Sequence, residues 1–419
     1  MSFKNIVCCR LCGSKKIKNF VDFGKISLGN NLQTKLPNAL KANKYSLSVN
    51  NCLSCNHFQL SISVSPKILY KTNYTYLTGV SNSFKNHFAS YVLWIEKKTK
   101  LNPLKSAILD IGSNDGTCLS FFKRKGFSVL GVDPAKLPSQ IANKKNIKTI
   151  NNFFSCHVAN SIIKTYGQFD LITSHNVLAH IDDIHNTFKN AFKSLKLGGF
   201  FCFEIGYFLK VVQKNLFDTI YHEHLDYHHA NPLCKFLKKI GFSIINISTN
   251  SIQGGSLRIL CKKEIKPYLS TQASNFLKNE KKTILYNKKN LLLWQNKIQS
   301  NMIKFGQLFK NYSKKNYIKI GYGSPTKIVL LTKLANLNGN DIEYVIEDNK
   351  LKIGRFLPMT GIKISKFTNK KFNKPLVVCV FAWNFFEEIV SNIKNKIPPD
   401  SVILCPLPKI KIYKIWLKI

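Results

Sequence analysis

SAILDIGSNDGT, residues 106–117, decides the fold of the central part of this chain. It begins with a short apolar segment that runs directly into a glycine, which predicts a buried strand and a tight turn. Residues 117–125 then have the apolar spacing of a helix. A second strand is predicted over 127–132, and Asp133 follows it. Strand, glycine turn, helix and strand in this order form a βαβ unit of the kind that binds nucleotides.

The glycine turn also indicates the ligand. Dinucleotide-binding turns read GxGxxG, whereas this turn reads DIGSNDG, which favours S-adenosylmethionine. Asp133 lies about 20 residues after Gly112, the distance at which an acidic residue accepts hydrogen bonds from ribose hydroxyls. We predict that the cofactor is bound by Asp110, Gly112, Asn114, Asp115, Gly116, Asp133, Asn176 and His180.

The α/β pattern continues on both sides of a helical stretch. A buried strand is predicted over 168–174, and NVLAH (176–180) lies at its carboxyl end, where open α/β sheets bind ligands. Near the C-terminus the pattern restarts with a strand that opens into GYGSPTK (321–327). This glycine loop either holds an anion with the help of Lys327 or is a simple turn. Further strands are predicted over 342–346, 376–381 and 401–404.

Two CxxC pairs stand near the N-terminus, at residues 9–12 and 52–55. Two such pairs bring four thiolates into the tetrahedral arrangement that zinc prefers, and the site would be structural. We predict Cys9, Cys12, Cys52 and Cys55 as the ligands. Four unrelated buried thiols are the alternative, and Cys8 and His57 are possible replacement ligands.

The segment FDTIYHEH (217–224) is the densest group of proton-transferring side chains in the sequence. Histidine titrates near neutral pH, so the segment favours acid/base chemistry. A second interpretation is a metal site built from His222, His224, His228 and His229.

Composition narrows the class of protein. The chain has 419 residues and is 44% hydrophobic, which excludes a disordered chain and predicts two or three domains. Its start has no signal-peptide pattern and no apolar run is long enough to span a bilayer, so we expect a cytoplasmic protein without a membrane partner. The net charge of +42 comes from lysines spread along the whole chain, which favours drift in composition over a nucleic-acid surface.

Nearly the whole chain resembles the sugar C-methyltransferases, which methylate a carbon of nucleotide-linked 4-keto-deoxysugars. The resemblance rests on the order of CRLC, CLSCNHFQL, DIGSNDG, NVLAH, FDTIYHEH, GGSLR, GYGSPTK, EDN and AWNF. It implies a class I methyltransferase-like Rossmann central domain between a small zinc-binding module and a C-terminal Rossmann-like α/β domain. We accordingly predict a zinc module at 1–70, a methyltransferase domain at 71–265, a helical connector at 266–310 and the C-terminal domain at 311–419.

The resemblance also implies roles for individual residues. His224 would be the base that removes a proton next to the ketone, with Glu223 and Tyr221 in its proton network. Tyr74 or Tyr76, from the cluster YKTNYTY, would approach the keto oxygen. A nucleotide-linked keto-deoxysugar would then be the partner. Its expected contacts are His180, Glu204, Arg258, Lys327, Asp348 and Asn384. Arg258, which follows the glycines of GGSLR, suits a bidentate contact with a phosphate, whereas Glu204 could equally lie in a surface turn.

Two other functions fit parts of the sequence. An RNA methyltransferase would explain the zinc module and the basic charge, but no basic strip interleaved with aromatic residues is present. A nucleotide-binding scaffold without chemistry would explain the fold, but not the retained DIGSNDG and YHEH motifs. The sequence leaves the oligomeric state open, and a monomer is compatible with it.

Overall fold

The computed structural model describes residues 2–70, 77–312, 316–367 and 372–415. The chain folds as two compact units, each assembled from separate stretches of sequence. The first unit consists of Met1–Lys18, Asn50–Lys210 and Glu223–Tyr286, and the second of Asn19–Val49, Val211–His222 and Asn287–Ile419.

Two long strands and five short elements make up the N-terminal part of the chain. They are β1 (Phe3–Asn5), β2 (Ile17–Ser27), α1 (Leu36–Leu40), β3 (Lys44–Cys52), β4 (Phe58–Leu60), β5 (Ile62–Val64) and α2 (Pro66–Tyr70). Within the first unit, β1 pairs antiparallel with β5. The strands β1, β4 and β5 have only three residues each and so bury little apolar surface, and a metal site would add stability to this module.

The central elements of the first unit alternate between strand and helix. They are α3 (Asn82–Thr99), β6 (Ala107–Ile111), α4 (Thr117–Arg124), β7 (Ser128–Val132), α5 (Lys136–Lys144), β8 (Thr149–Ile150), α6 (Cys156–Tyr166), β9 (Phe169–His175), α7 (Ile184–Ser194) and β10 (Leu195–Gly206). There follow α8 (Phe208–Gln213), of which only Phe208–Lys210 belong to this unit, and then β11 (Asp226–Tyr227), α9 (Ala230–Ile240), β12 (Phe242–Asn250), β13 (Ser256–Lys263) and α10 (Thr271–Glu280). Side-chain oxygens of Ser81, Ser155, Asp183 and Ser270 cap the first turns of α3, α6, α7 and α10.

A seven-stranded sheet organises this unit, with the order β12–β13–β10–β9–β6–β7–β8. The five neighbouring strands β10, β9, β6, β7 and β8 pair in parallel. Strand β13 runs antiparallel to both β10 and β12. Apolar side chains of α3, α4 and the strands, including Ile95, Ile108, Leu119 and Phe122, form the core beneath one face. The predicted βαβ unit is confirmed within one or two residues at each end, and the topology is that of the class I methyltransferases.

The second unit has its own α/β sheet. Its elements are α11 (Lys288–Asn311), β14 (Ile318–Tyr322), α12 (Ile328–Leu334), β15 (Tyr344–Ile346), β16 (Lys363–Ser365), β17 (Leu376–Val380), α13 (Phe386–Ile393), β18 (Val402–Cys405) and β19 (Lys411–Lys414). The strand order is β16–β15–β14–β17–β18–β19, parallel except for β19. This confirms the second Rossmann-like domain; the short strands β16 and β19 were not predicted.

The stretch predicted as a helical connector contains two helices. Of these, α10 belongs to the first unit and α11 to the second. The proposed boundaries of the four domains remain predictions. Every helix in the described parts of the chain is too short or too polar to span a membrane.

Candidate active site

The turn after β6 approaches its surroundings so closely that it needs glycine. Gly112 has φ of +74°, and a Cβ there would lie 2.3 Å from a methyl carbon of Val177. Gly116 also has a positive φ, and Asn114 adopts the left-handed conformation that asparagine tolerates. The turn therefore exposes backbone at the carboxyl edge of the sheet, as expected for a cofactor site.

Asp133 closes this turn from the end of β7. One carboxylate oxygen accepts the N–H of Asn114 at 2.9 Å, and the other accepts the N–H of Ala135 at 2.8 Å. Burial raises the pKa of Asp133, although these two hydrogen bonds oppose the rise. Each oxygen keeps a second lone pair, so the carboxylate can still accept ribose hydroxyls. That role remains a prediction.

The two other aspartates of the turn bond within the protein. Asp110 is buried inside β6 and accepts the hydroxyl of Thr173 at 2.9 Å, and burial raises its pKa. Asp115 accepts the hydroxyl of Thr117 at 2.6 Å and the N–H of Gly79 at 3.1 Å. The contact of Asp110 joins β6 to β9, and the contacts of Asp115 order the turn. Direct contact of either aspartate with the cofactor remains a prediction.

Asn176, which follows β9, offers an unused acceptor. Its backbone is left-handed, with φ of +55°, and its N–H donates to the carbonyl of Glu204 at 2.7 Å. Its side-chain oxygen is buried and has no hydrogen-bond partner among the described residues. A buried acceptor without a partner is costly, so this atom fits the binding of a ligand that donates a hydrogen bond.

Glu204 lies inside β10 and is 1% exposed, so the interpretation as a surface turn is wrong. One oxygen accepts from His87 at 2.6 Å and from His175 at 3.1 Å. The other accepts from Arg258 at 2.6 Å and from Asn250 at 2.8 Å. Burial alone would raise the pKa of Glu204, but the bonds from His175 and His87 and the charge of Arg258 hold the pKa well below its usual range.

Arg258, predicted to bind a phosphate, is thus paired with a protein carboxylate. Its guanidinium also lies over the rings of Tyr91 and Trp94, at 5.0 and 4.7 Å from their centroids. His87, His175 and Glu204 have ligand atoms close enough to hold a metal ion. The guanidinium beside the same carboxylate opposes a cation, so we assign the group to an ion-pair network that joins α3, β9, β10, β12 and β13.

His224 and His180 come together in the first unit, although 43 residues separate them in sequence. Their ring centroids are 4.7 Å apart and the planes are inclined by 72°. The N–H of Leu225 donates to the carbonyl of Ala179 at 2.7 Å, which fixes the two backbones side by side. Burial lowers the pKa of His180 to about 4 despite a hydrogen bond with the Glu223 backbone, so His180 is neutral at neutral pH.

Other histidines near the motif have structural roles. In the second unit, the Nε2 atom of His222 lies 3.2 Å from the carbonyl of Ser46, and burial lowers the pKa of His222 to about 4. In the first unit, His229 bonds to the carbonyl of Asn56 at 2.8 Å and to Glu280 at 3.2 Å. Among the described residues no potential metal group includes the histidines of the motif, so the metal interpretation loses its support.

Of the tyrosines predicted for the site, Tyr221 lies among the described residues. Tyr221 is half-buried in the second unit. Tyr74 and Tyr76 lie outside the described residues, so their predicted approach to a keto oxygen remains a prediction. The segment that follows them is held at the cofactor turn, because the N–H of Thr78 donates to the side-chain oxygen of Asn114 at 2.9 Å.

The four predicted cysteines converge in the N-terminal module. The sulfur of Cys9 lies 3.6 Å from that of Cys55, and the sulfur of Cys12 lies 3.6 Å from that of Cys52. All four sulfurs lie within 4.8 Å of one another. Four thiolates around zinc, each about 2.3 Å from the ion, are about 3.8 Å apart, so the cluster fits zinc without Cys8 or His57.

A small polar cluster lies at the carboxyl edge of the second sheet. Lys327 pairs with Asp218 at 2.8 Å and lies over the ring of Trp383, whose indole N–H donates to the same carboxylate at 2.5 Å. Asp348 accepts the hydroxyl of Tyr322 at 3.2 Å, and Asn384 is exposed. The sequence predicted Lys327 but missed Asp218, although Asp218 belongs to the FDTIYHEH segment. Substrate contacts of Lys327, Asp348 and Asn384 remain predictions.

Family models match three consecutive parts of the chain. Residues 9–70 match "Putative zinc binding domain", residues 86–247 match "Methyltransferase domain", and residues 251–408 match "C-methyltransferase C-terminal domain". These matches confirm the resemblance drawn from the order of motifs. They also confirm the prediction of an N-terminal zinc-binding module followed by a methyltransferase domain.

The chain is also similar to individual proteins, over different shares of its length. The chain is 26% identical to the C-methyltransferase NovU of Streptomyces niveus over 96% of this chain and 95% of that protein. It is 26% identical to the ubiquinone biosynthesis O-methyltransferase of Pseudomonas fluorescens, over 26% of this chain and 47% of that protein. Magnesium protoporphyrin IX methyltransferase from Synechocystis, solved with bound SAM, is 14% identical, with a TM-score of 0.34 over 43% of this chain and 79% of that chain.

Proposed function

We propose that this chain, a homologue of the C-methyltransferase NovU over 96% of its length, methylates a carbon next to the ketone of a nucleotide-linked 4-keto-deoxysugar. The methyl donor would be S-adenosylmethionine, bound at the turn after β6. The pairing of His224 with His180 is the observation that carries the proposal. It supplies a proton acceptor, and methylation of an acidic carbon requires one.

The position of this pair supports the same reaction. The cofactor turn follows β6, and His180 comes shortly after β9. Because β6 and β9 are neighbouring parallel strands, their carboxyl ends lie at one edge of the sheet, where open α/β folds bind ligands. The partly unsatisfied Asn176 lies on the same connection. A substrate carbon held here would lie within reach of both a base and a methyl donor.

The neutral state of His180 suits the proposed role of His224. When the carbon–hydrogen bond breaks, the proton passes to the His224 imidazole and the electron pair forms an enolate with the ketone. A positively charged neighbour would oppose the imidazolium that results, whereas neutral His180 does not. S-adenosylmethionine bound at the turn after β6 would supply the electrophilic methyl group for the new carbon–carbon bond, with S-adenosylhomocysteine as the leaving group. Glu223, which is buried beside His224, would orient the imidazole.

A substrate panel tests this function. The purified protein is incubated with S-adenosylmethionine and several nucleotide-linked 4-keto-6-deoxyhexoses, and mass spectrometry follows the gain of one methyl group. We expect one sugar nucleotide to be methylated on carbon, with NMR of the product showing the new methyl group bonded to a ring carbon and not to an oxygen. Absence of methylation across the panel, together with salt-dependent retention of RNA in a gel shift, would refute the proposal in favour of an RNA substrate.

A further inference from the structure

Arg10 stands inside the first CxxC pair, between two of the zinc ligands, and its side chain reaches away from the metal cluster. The Nε atom donates to both oxygens of Asp226 at 3.0 and 3.1 Å. The two terminal nitrogens donate to the carbonyls of Ile181, at 2.5 Å, and Asp182, at 3.1 Å. The side chain is 8% exposed and that of Asp226 is fully buried. All these residues belong to the first unit.

These three acceptors flank the two histidines of the candidate active site. Ile181 directly follows His180, and Asp226 comes two residues after His224. One guanidinium therefore holds the chain on the C-terminal side of both histidines at once. Its planar fork of donors has a fixed geometry, so the relative position of the two segments is fixed as well.

The main chain of the zinc module reinforces this contact. The carbonyl of Leu225 accepts the N–H of Leu60 at 2.9 Å, and β11 pairs with β4. The ring of His57 bonds to Asp226 at 2.9 Å. Arg10 is itself held, because its N–H donates to the side chain of Gln59 at 2.7 Å. The segment that carries His224 is thus attached to the module that carries the metal ligands.

We propose that Arg10 is a positioning residue that couples the zinc site to the His180/His224 pair. The zinc site then does more than stabilise the N-terminal module: by fixing the loop at 9–12 it fixes the guanidinium, and the guanidinium sets the distance between the two histidines. The expected effect of Arg10 on catalysis rests on the proposed function of the His180/His224 pair. Loss of this contact should lower turnover more than substrate affinity, because misplacement of a reacting group by about 1 Å can cost on the order of 100-fold in rate.

Arg10→Lys is the most informative variant. Lysine keeps the positive charge beside Asp226, but its single ammonium cannot reproduce the fork that reaches the two carbonyls. We expect unchanged zinc content by elemental analysis and a kcat that falls roughly 10- to 100-fold with a smaller change in KM. Lys4→Met is the matched control: it removes an exposed ion pair with Asp182 at 2.6 Å and leaves the fork intact, so kcat should stay within about twofold.

Hydrogen exchange tests the same coupling without any activity. The amide of Leu225, which donates to Ala179, should exchange at least about tenfold faster in Arg10→Lys and in the zinc-depleted wild type than in the loaded wild type, and the Lys4→Met protein should match the wild type. If the Leu225 amide exchanged at the rate of the loaded wild type in both Arg10→Lys and the zinc-depleted wild type, Arg10 would not be a positioning residue. An unchanged kcat in Arg10→Lys would also overturn this role. If the wild type methylates no sugar nucleotide, the proposed function fails, whereas the exchange result still decides the coupling.

Discussion

Glu204→Gln is the substitution for which the structure gives the clearest energetic expectation. The carboxylate is almost fully buried and accepts hydrogen bonds from His87, His175, Asn250 and Arg258. Glutamine has the same shape, but it replaces one acceptor oxygen with an N–H₂ group and removes the charge. At least one of the donors then faces another donor, and the Arg258 guanidinium loses its counter-ion.

Breaking a buried ion pair by removing one partner costs about 3–5 kcal/mol, because the remaining charge is left uncompensated. We therefore expect the free energy of unfolding of the first unit to fall by about 3–5 kcal/mol at pH 7. Glu96→Gln provides a control in the same unit. Glu96 pairs with Lys125 at 3.3 Å, and the Lys125 side chain is 46% exposed. Loss of such a pair should cost less than about 1 kcal/mol.

The difference in the free energy of unfolding between the wild type and Glu204→Gln should depend on pH. The pKa of Glu204 is lowered in the folded state, so its contribution is fully present above the pKa of the unfolded state, about 4.3. That contribution is lost as the pH falls below this value, because the unfolded chain takes up the proton more readily. Urea unfolding followed by circular dichroism at pH 7, 5.5 and 4 measures the difference. If Glu204→Gln lowered the free energy of unfolding at pH 7 by no more than Glu96→Gln does, the buried contacts of Glu204 would not stabilise the first unit as predicted.

Three further substitutions test other parts of the structure. Cys55→Ser should lose zinc by elemental analysis and lower the melting temperature, whereas the exposed Cys156, changed to serine, should leave both unchanged. Asp133→Ala should weaken S-adenosylmethionine binding by roughly 10- to 100-fold in calorimetry, because hydrogen bonds to a charged group are lost; an unchanged Kd would contradict the ribose role. His222→Gln should reduce acid sensitivity, because the pKa of His222 is lowered to about 4 and the wild type loses up to about 3 kcal/mol as the pH falls from 6.5 to 4. The same loss of stability in the variant would contradict this.

Features that depend on local sequence were predictable. The apolar strand and glycine turn around Gly112 fix a βαβ unit because strand burial and backbone conformation are local properties. The CxxC spacing similarly identified Cys9 and Cys55 as members of one cluster, since each pair spans a single turn. The position of NVLAH (176–180) after a buried strand was predictable for the same reason.

Features that depend on contacts between residues distant in sequence could not be predicted. His87 and His175 occur in unremarkable sequence. The packing of α3 on the sheet brings His87 to Glu204, and the parallel register of β9 with β10 places His175 beside it. Arg258 was predicted to bind a phosphate because an arginine in a glycine-rich turn suits an anion, but a strand neighbour supplies its carboxylate. Arg10 gave no signal at all, because the acceptors of its guanidinium lie more than 170 residues away.

Solvent exchange at the substrate carbon tests the central claim most directly. The sugar nucleotide is incubated in D₂O with wild type and with His224→Gln, and mass spectrometry measures deuterium at the carbon next to the ketone. We predict that the wild type incorporates deuterium and that His224→Gln binds S-adenosylmethionine normally but neither incorporates deuterium nor transfers the methyl group. Deuterium incorporation at the wild-type rate in His224→Gln would show that another residue is the base.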